Sequence, residues 1–223
     1  ERLRARYFGL NHFGWFTDLF DVDGNNRFQE LKSYLRDHAF QPFNAEQRSK
    51  SWLDTYVRVN KYLQYFDEYI PTTYLQYCFF QEEIVAESNP ADTRVDEARD
   101  SREREVFETC RAAVGKDSME GITMLTNSVF GKLMVEVAES IAYDLHREYI
   151  VLVRNEGIIP NFEPDAIVEV AGTIGKNGAQ GYYFGDISPF YKGLMEGQYA
   201  YERLTVEAFL EQICQEIRTK EIR

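Results

Sequence analysis

Asn11 and His12 stand between Gly9-Leu10 and Phe13-Gly14-Trp15, a polar pair inside an apolar and aromatic run with a glycine on each side. An imidazole can ligate a metal or move a proton. Glycines beside it suggest that something approaches the backbone closely. If buried, both side chains need partners, because desolvating an amide or an imidazole without one costs free energy. The plainer alternative is a histidine satisfied inside the core. Tyr74 and Tyr77 follow Pro71 and lie three residues apart, so a helix puts them on one face. Either they pack with their hydroxyls at the rim of the core, or one is a general base, which requires a nearby cation or metal to lower its pKa. Asn89-Pro90-Ala91-Asp92-Thr93-Arg94 is either a solvated loop or a segment aiming an arginine at an anionic or polyhydroxylated ligand. Asp21-Val22-Asp23-Gly24 starts like a calcium loop but lacks the remaining ligands and the closing Glu, so it reads as a turn.

The elements that must position these residues follow from periodicity and turn chemistry. Tyr7 to Phe20 reads as a β-rich apolar segment, with Asp21 to Asn26 as hairpin-turn chemistry behind it. Phe28 to His38 and Ala45 to Phe66 read as helices, with Leu31, Tyr34 and Leu35 on one face. Pro71-Thr72-Thr73 reads as a helix start leading into an aromatic helix from Tyr74 to Ile84. Glu87 to Arg104 is charge-dense and passes into a helix around Glu105 to Val114, then a loop from Gly115 to Gly121. Ser128 to Leu145 is predicted to be a helix burying Met134, Val137, Ala138, Ile141 and Leu145. Tyr149 to Val153 reads as a buried strand and Ile167 to Ile174 as a second, with turns at Asn155-Glu156-Gly157 and Lys176-Asn177-Gly178. Two helices close the chain, Ser188 to Arg203 and Thr205 to Ile217. Strands and helices mix without regular βαβ alternation, which implies an α+β fold.

Bulk properties exclude several classes. The 223 residues carry 25 basic and 37 acidic side chains, a formal charge of −12, which repels phosphate backbones and argues against nucleic-acid binding. No apolar run is long enough to span a membrane, and no secretory signal is visible. Cys78, Cys110 and Cys214 are odd in number and far apart, which is no disulfide framework and suits a reducing cytoplasm. There is no CxxC pair for a closed zinc site, and no glycine-rich dinucleotide fingerprint. The chain starts without Met and ends on a charged helix tail, as expected for a piece of a longer protein.

Gly9-Leu10-Asn11-His12-Phe13-Gly14-Trp15 resembles the signature of glycoside hydrolase family 4, in its 6-phospho-α-glucosidase branch. The resemblance runs in register through Thr73 to Tyr77, Ser88 to Arg94, Val137 to Tyr143, Asn161 to Pro164, Val168-Glu169-Val170, Lys192 to Glu196 and Leu204 to Ala208. It covers nearly the whole chain and implies a C-terminal domain like that of lactate dehydrogenase, with a small, mostly antiparallel sheet. Residue by residue, it puts His12 at the family's manganese ligand, Tyr74 at its catalytic base and Arg94 at its substrate-binding arginine. Asn11, beside His12, is placed with the substrate or in support of the metal. The implied reaction is hydrolysis of 6-phospho-α-glucosides such as maltose 6'-phosphate, an exception to two-carboxylate glycosidase chemistry. In that scheme NAD takes a hydride from C3, Mn²⁺ or another divalent metal polarises the sugar oxygens, and the tyrosine removes the C2 proton so that the aglycone is eliminated. A homodimer or homotetramer is implied. The family's Rossmann domain and its Cys-x-x-Pro segment, with the second metal ligand and the general acid, are expected ahead of Glu1. The chain alone then carries about half an active site.

Two other readings differ in class. The chain could be an oligomerisation domain that inherited these motifs without catalysis. A lactate/malate-type dehydrogenase would share the domain fold, but the Asn-His signature and the Tyr74 segment argue against it.

Overall fold

The computed structural model describes residues 3–38, 50–114 and 129–221. The chain begins with β1 (Arg4–Leu10) and β2 (Phe13–Phe20), followed by α1 (Phe28–His38), α2 (Lys50–Tyr65) and the two-residue β3 (Ile70–Pro71). A 3₁₀ turn at Thr73–Leu75 leads into α3 (Gln76–Phe79) and α4 (Gln81–Glu87), and then α5 (Arg94–Ala113). After α6 (Val129–Ala142) come β4 (Arg147–Arg154), β5 (Ile167–Gly175), β6 (Gly178–Gly181) and α7 (Pro189–Glu221). All strand pairs are antiparallel, in the order β3-β2-β1-β5-β4, with β6 also paired to β5. The expected α+β class holds.

Strand alternation separates the two faces of this sheet. Phe8 and Leu10 of β1, Trp15 of β2 and Val168 and Val170 of β5 point into the core, where Tyr191 and Met195 of α7 cover them. Trp15 is fully buried, and its indole N–H donates to the Tyr62 hydroxyl at 2.9 Å. Ser140 fastens α6 to the sheet: its hydroxyl donates to the Ile174 carbonyl at 2.5 Å and accepts from the Arg147 amide at 3.2 Å. On the opposite face the neighbours are Tyr7 and Phe16, Gly9 and Gly14, and Glu169.

Asn155 closes the loop between β4 and β5. Its amide is inaccessible to solvent, donates to the carbonyls of Ile159, Phe162 and Glu163 at 3.0–3.1 Å, and accepts from the Ile159 amide at 2.7 Å. Truncation strands these groups away from water. Asn155→Ala is therefore expected to lower the unfolding free energy by about 3 kcal/mol, read from urea titration.

Several local expectations change. The tight hairpin turn lies at Asn11-His12, not at Asp21 to Asn26. There Asp21 accepts from the Asp23 and Asn25 amides, and the chain then enters α1. In α1, Phe28 and Leu35 are buried while Tyr34 is exposed. The single aromatic helix from Tyr74 to Ile84 is instead the 3₁₀ turn, α3 and α4. β4 buries only Val151 fully, because it is the edge strand and its Ile150 and Leu152 face outward. The two closing helices are one, since Leu204-Thr205 contains no helix breaker. α7 is about 50 Å long. Of the apolar stripe expected to be buried on α6, Met134, Ile141 and Leu145 are exposed, and Val206, Phe209 and Leu210 on distal α7 are exposed as well. Gly115 to Gly121 and Ser128 lie outside the described residues.

Candidate active site

The hairpin β1–β2 carries the polar pair at its tip. Asn11 and His12 are both exposed, so their side chains escape the desolvation cost that burial would impose. His12 has φ 61°, a left-handed conformation that is uncommon outside glycine and is often held in place at functional sites. Two-residue turns of this kind usually contain glycine; here the glycines lie one pair further down, at Gly9 and Gly14. Their role is also different from close approach by a ligand. A Cβ at Gly14 would lie 2.6 Å from both Tyr7 Cζ and the Phe8 carbonyl oxygen. The space is filled by the Tyr7 phenol.

The short strand β3 brings the second segment alongside. Trp15 pairs with Pro71 and Phe16 with Ile70, and the Thr72 amide donates to the Gly14 carbonyl at 2.9 Å. The Thr72 hydroxyl donates to the His12 carbonyl at 3.4 Å, rather than capping the helix that follows. Two residues later the 3₁₀ turn presents Tyr74. Its ring lies flat on the His12 imidazole, with centroids 4.0 Å apart and planes 4° from parallel. Neither imidazole nitrogen of His12 has a hydrogen-bond or ion-pair partner among the described residues, so both remain available to a ligand. Tyr74 is 46% exposed. Tyr77 is also exposed, one helical turn beyond and without a contact to His12.

A clamp behind Tyr74 fixes its backbone. Buried Gln76 donates to the Thr55 hydroxyl at 2.9 Å and accepts from Arg58 at 3.1 Å, and Arg58 also pairs with Glu87. Leu75 is buried between them. In front lies a cleft of about 510 Å³ lined by Tyr7, His12, Phe16, Thr72, Tyr74 and Glu169. That volume suits a small ligand. A cleft of about 520 Å³ near Arg4, Arg6 and Tyr182 is as large but contains neither His12 nor Tyr74.

Arg94 is the first residue of α5. Its side chain lies outside what the structure describes. Its position is set by a capping box in which the Thr93 hydroxyl accepts from the Asp96 amide and the Asp96 carboxylate accepts from the Thr93 amide at 3.0 Å. That helix begins eleven residues ahead of the expected Glu105, and the Thr-x-x-Asp spacing was its signal.

A divalent metal fits His12 as one ligand, because the imidazole is exposed and unpartnered at the mouth of the cleft. Among the described residues no group of three or more His, Cys, Asp or Glu side chains could hold such an ion. The described residues thus do not supply a whole ligand shell. Sequence reasoning found no sign of Arg58, and met Tyr7 only as the start of the first β segment and Gln76 only inside Thr73 to Tyr77. It met Glu169 only inside Val168-Glu169-Val170, where a carboxylate between two valines of a strand signals a polar group on the outward face.

Comparison with known proteins places this geometry. The chain is 36% identical over 218 residues to the maltose-6'-phosphate glucosidase of Bacillus subtilis, which covers 97% of the chain and 48% of that protein. It is 38% identical over 207 residues to the 6-phospho-alpha-glucosidase of Leptotrichia buccalis, covering 92% of the chain and 47% of the relative. A crystal structure of a 6-phospho-alpha-glucosidase from gut microorganisms, in complex with NAD and Mn²⁺, superposes with a TM-score of 0.86 at 38% identity, over 94% of this chain and 48% of that one. The 6-phospho-beta glucosidase of Thermotoga maritima shares the fold, with a TM-score of 0.67 at 21% identity over 95% of this chain and 46% of that one. The chain spans about half the length of the curated relatives it matches. Residues 7–219 match the family 4 glycosyl hydrolase C-terminal domain, and the chain belongs to that family.

Proposed function

We propose that this chain is the substrate and catalytic half of a 6-phospho-α-glucosidase that works with NAD and a divalent metal. The observation that carries the reading is the His12–Tyr74 stack at the mouth of the cleft. It joins a ligand with free nitrogens to a phenol within one ring thickness, in a chain 38% identical to a 6-phospho-alpha-glucosidase solved with NAD and Mn²⁺. When bound, NAD and the metal supply the hydride acceptor and the Lewis acid that make the sugar C2 hydrogen acidic.

The chain's own residues then have separable tasks. His12 contributes one metal ligand. Tyr74, as its phenolate, receives the C2 proton on its oxygen and becomes the neutral phenol, and the parallel stack fixes that oxygen relative to His12. The Gln76–Arg58 clamp and the Thr72–Gly14 hydrogen bond keep the two segments in register, which is the positional control that proton transfer needs. Arg94 binds the substrate, by its place in the family's motif, and Asn11, beside His12, contacts the substrate or supports the metal. The rest of the site, including the dinucleotide-binding domain, belongs to the half of the relatives that this chain does not span.

The full-length protein is expected to release p-nitrophenol from p-nitrophenyl α-glucoside 6-phosphate only when NAD and Mn²⁺ are both present. Equal rates without NAD would contradict the reading. Exposed Val206, Phe209, Leu210 and Ile213 on distal α7 favour a second role in assembly, as a homodimer or homotetramer. Light scattering that finds a monomer would remove that role. Among the described residues no helix is long and apolar enough to cross a membrane.

A further inference from the structure

The side of the cleft opposite Tyr74 contains a pair that this reaction scheme leaves unused. Tyr7 is 2% exposed, and its hydroxyl donates to the Glu169 carboxylate at 2.8 Å. Burial and the adjacent carboxylate hold the Tyr7 phenol far above its ordinary value, so it stays a neutral donor. The ring leans over Gly14, filling the space of the missing Cβ, and lies 4.9 Å from the Phe16 ring. Gly14 is two residues from His12, and its carbonyl receives the Thr72 amide two residues from Tyr74. The Tyr7 ring therefore packs over a residue that ties the two halves of the stack together, alongside the Thr72–His12 hydrogen bond. Glu169 pairs across the sheet with Gly9, the other end of the same glycine rung. It has no other hydrogen-bond or ion-pair partner among the described residues, so the hydrogen bond to Tyr7 is what orients it.

We propose that Tyr7 and Glu169 are positioning residues: the Tyr7 phenol, anchored by its hydrogen bond to Glu169, supports Gly14 from below and sets the height of the His12 turn against Tyr74. This rests on the reading of His12 and Tyr74 as the reaction centre. The support acts through the bond, not through the carboxylate charge. An amide in place of the carboxylate still accepts from the phenol and preserves it. Phe at position 7 keeps the ring and removes the donor.

The test uses the full-length protein with Tyr7→Phe, Glu169→Ala, Glu169→Gln and the double variant Tyr7→Phe/Glu169→Ala. Two quantities are read. One is the rate of His12 modification by diethyl pyrocarbonate without metal, followed by peptide mass spectrometry with exposed His146 as internal control. The other is kcat and KM on p-nitrophenyl α-glucoside 6-phosphate. Tyr7→Phe and Glu169→Ala are each expected to raise the His12 rate about fivefold with His146 unchanged. They are expected to lower kcat roughly tenfold or more with KM within about threefold, since small misplacements of reacting groups are costly. Glu169→Gln is expected to stay near wild type, and the double variant to be no worse than either single, because both remove one interaction. Wild-type values in Tyr7→Phe, additive losses, equal damage from Glu169→Gln and Glu169→Ala, or a parallel rise at His146 each overturn the proposal. Lack of cleavage by the unsubstituted protein instead contradicts the proposed function, and the His12 rates still decide the support.

Discussion

Tyr74→Phe in the full-length enzyme is expected to abolish exchange of the substrate's C2 proton with solvent while leaving NAD binding nearly intact. Only the phenol oxygen is removed. The ring stays, and with it the stack on His12 at 4.0 Å, so the His12 turn keeps its geometry. Tyr74 is half exposed and its hydroxyl has no hydrogen-bond partner among the described residues, so folding loses little when it goes. The loss then falls on proton transfer, for which a positioned base contributes about 10²–10⁴ in rate. Exchange is followed by the appearance of deuterium in recovered substrate, and NAD binding by quenching of tryptophan fluorescence. Retained exchange would remove Tyr74 from the role of base. Loss of both exchange and NAD binding would make it a structural residue.

His12→Asn is expected to have the other large effect. Asn tolerates the left-handed backbone at φ 61° better than most residues, so this substitution keeps the turn where Ala would strain it. It removes the imidazole from a site where, among the described residues, no second His or acidic cluster can substitute. Metal-dependent charge stabilisation is worth several kcal/mol, so activity is expected to fall roughly 10³-fold or more. Mn²⁺ dependence should vanish with it, and the melting temperature should stay close to wild type. Unchanged Mn²⁺ affinity, measured from the electron paramagnetic resonance of free Mn²⁺, would exclude His12 as a ligand.

Much of the secondary structure was legible because its signals are local. α1 runs from Phe28 to His38 as its periodicity implies, and β5 begins at Ile167 as its β-branched run implies. The Asn11-His12 turn was hidden because the residues on both sides are apolar and aromatic, so β1 and β2 read as one segment. Its turn residue is His12 in a left-handed conformation, which no turn preference announces. The two glycines were legible as sites of close approach, but what approaches is the β2 backbone at Gly9 and Tyr7 at Gly14, partners set by strand pairing and leaning. The stripe from Met134 to Leu145 was read as buried. Helical period identifies an apolar face but not the surface that covers it. At the site, His12, Tyr74, Asn11 and Arg94 were named only through resemblance to a family. The stack of Tyr74 on His12 was not legible, since it depends on β3 pairing with β2 across more than fifty residues of chain.

Cleaving p-nitrophenyl α-glucoside 6-phosphate with the full-length protein in D₂O, with NAD and Mn²⁺, decides whether Tyr74, held on His12, removes a proton from carbon in the course of glycoside cleavage. The released glucose 6-phosphate is predicted to contain deuterium at C2 by proton NMR, because the proton taken by Tyr74 exchanges before one is returned. Product that keeps its original hydrogen at C2 would contradict the account.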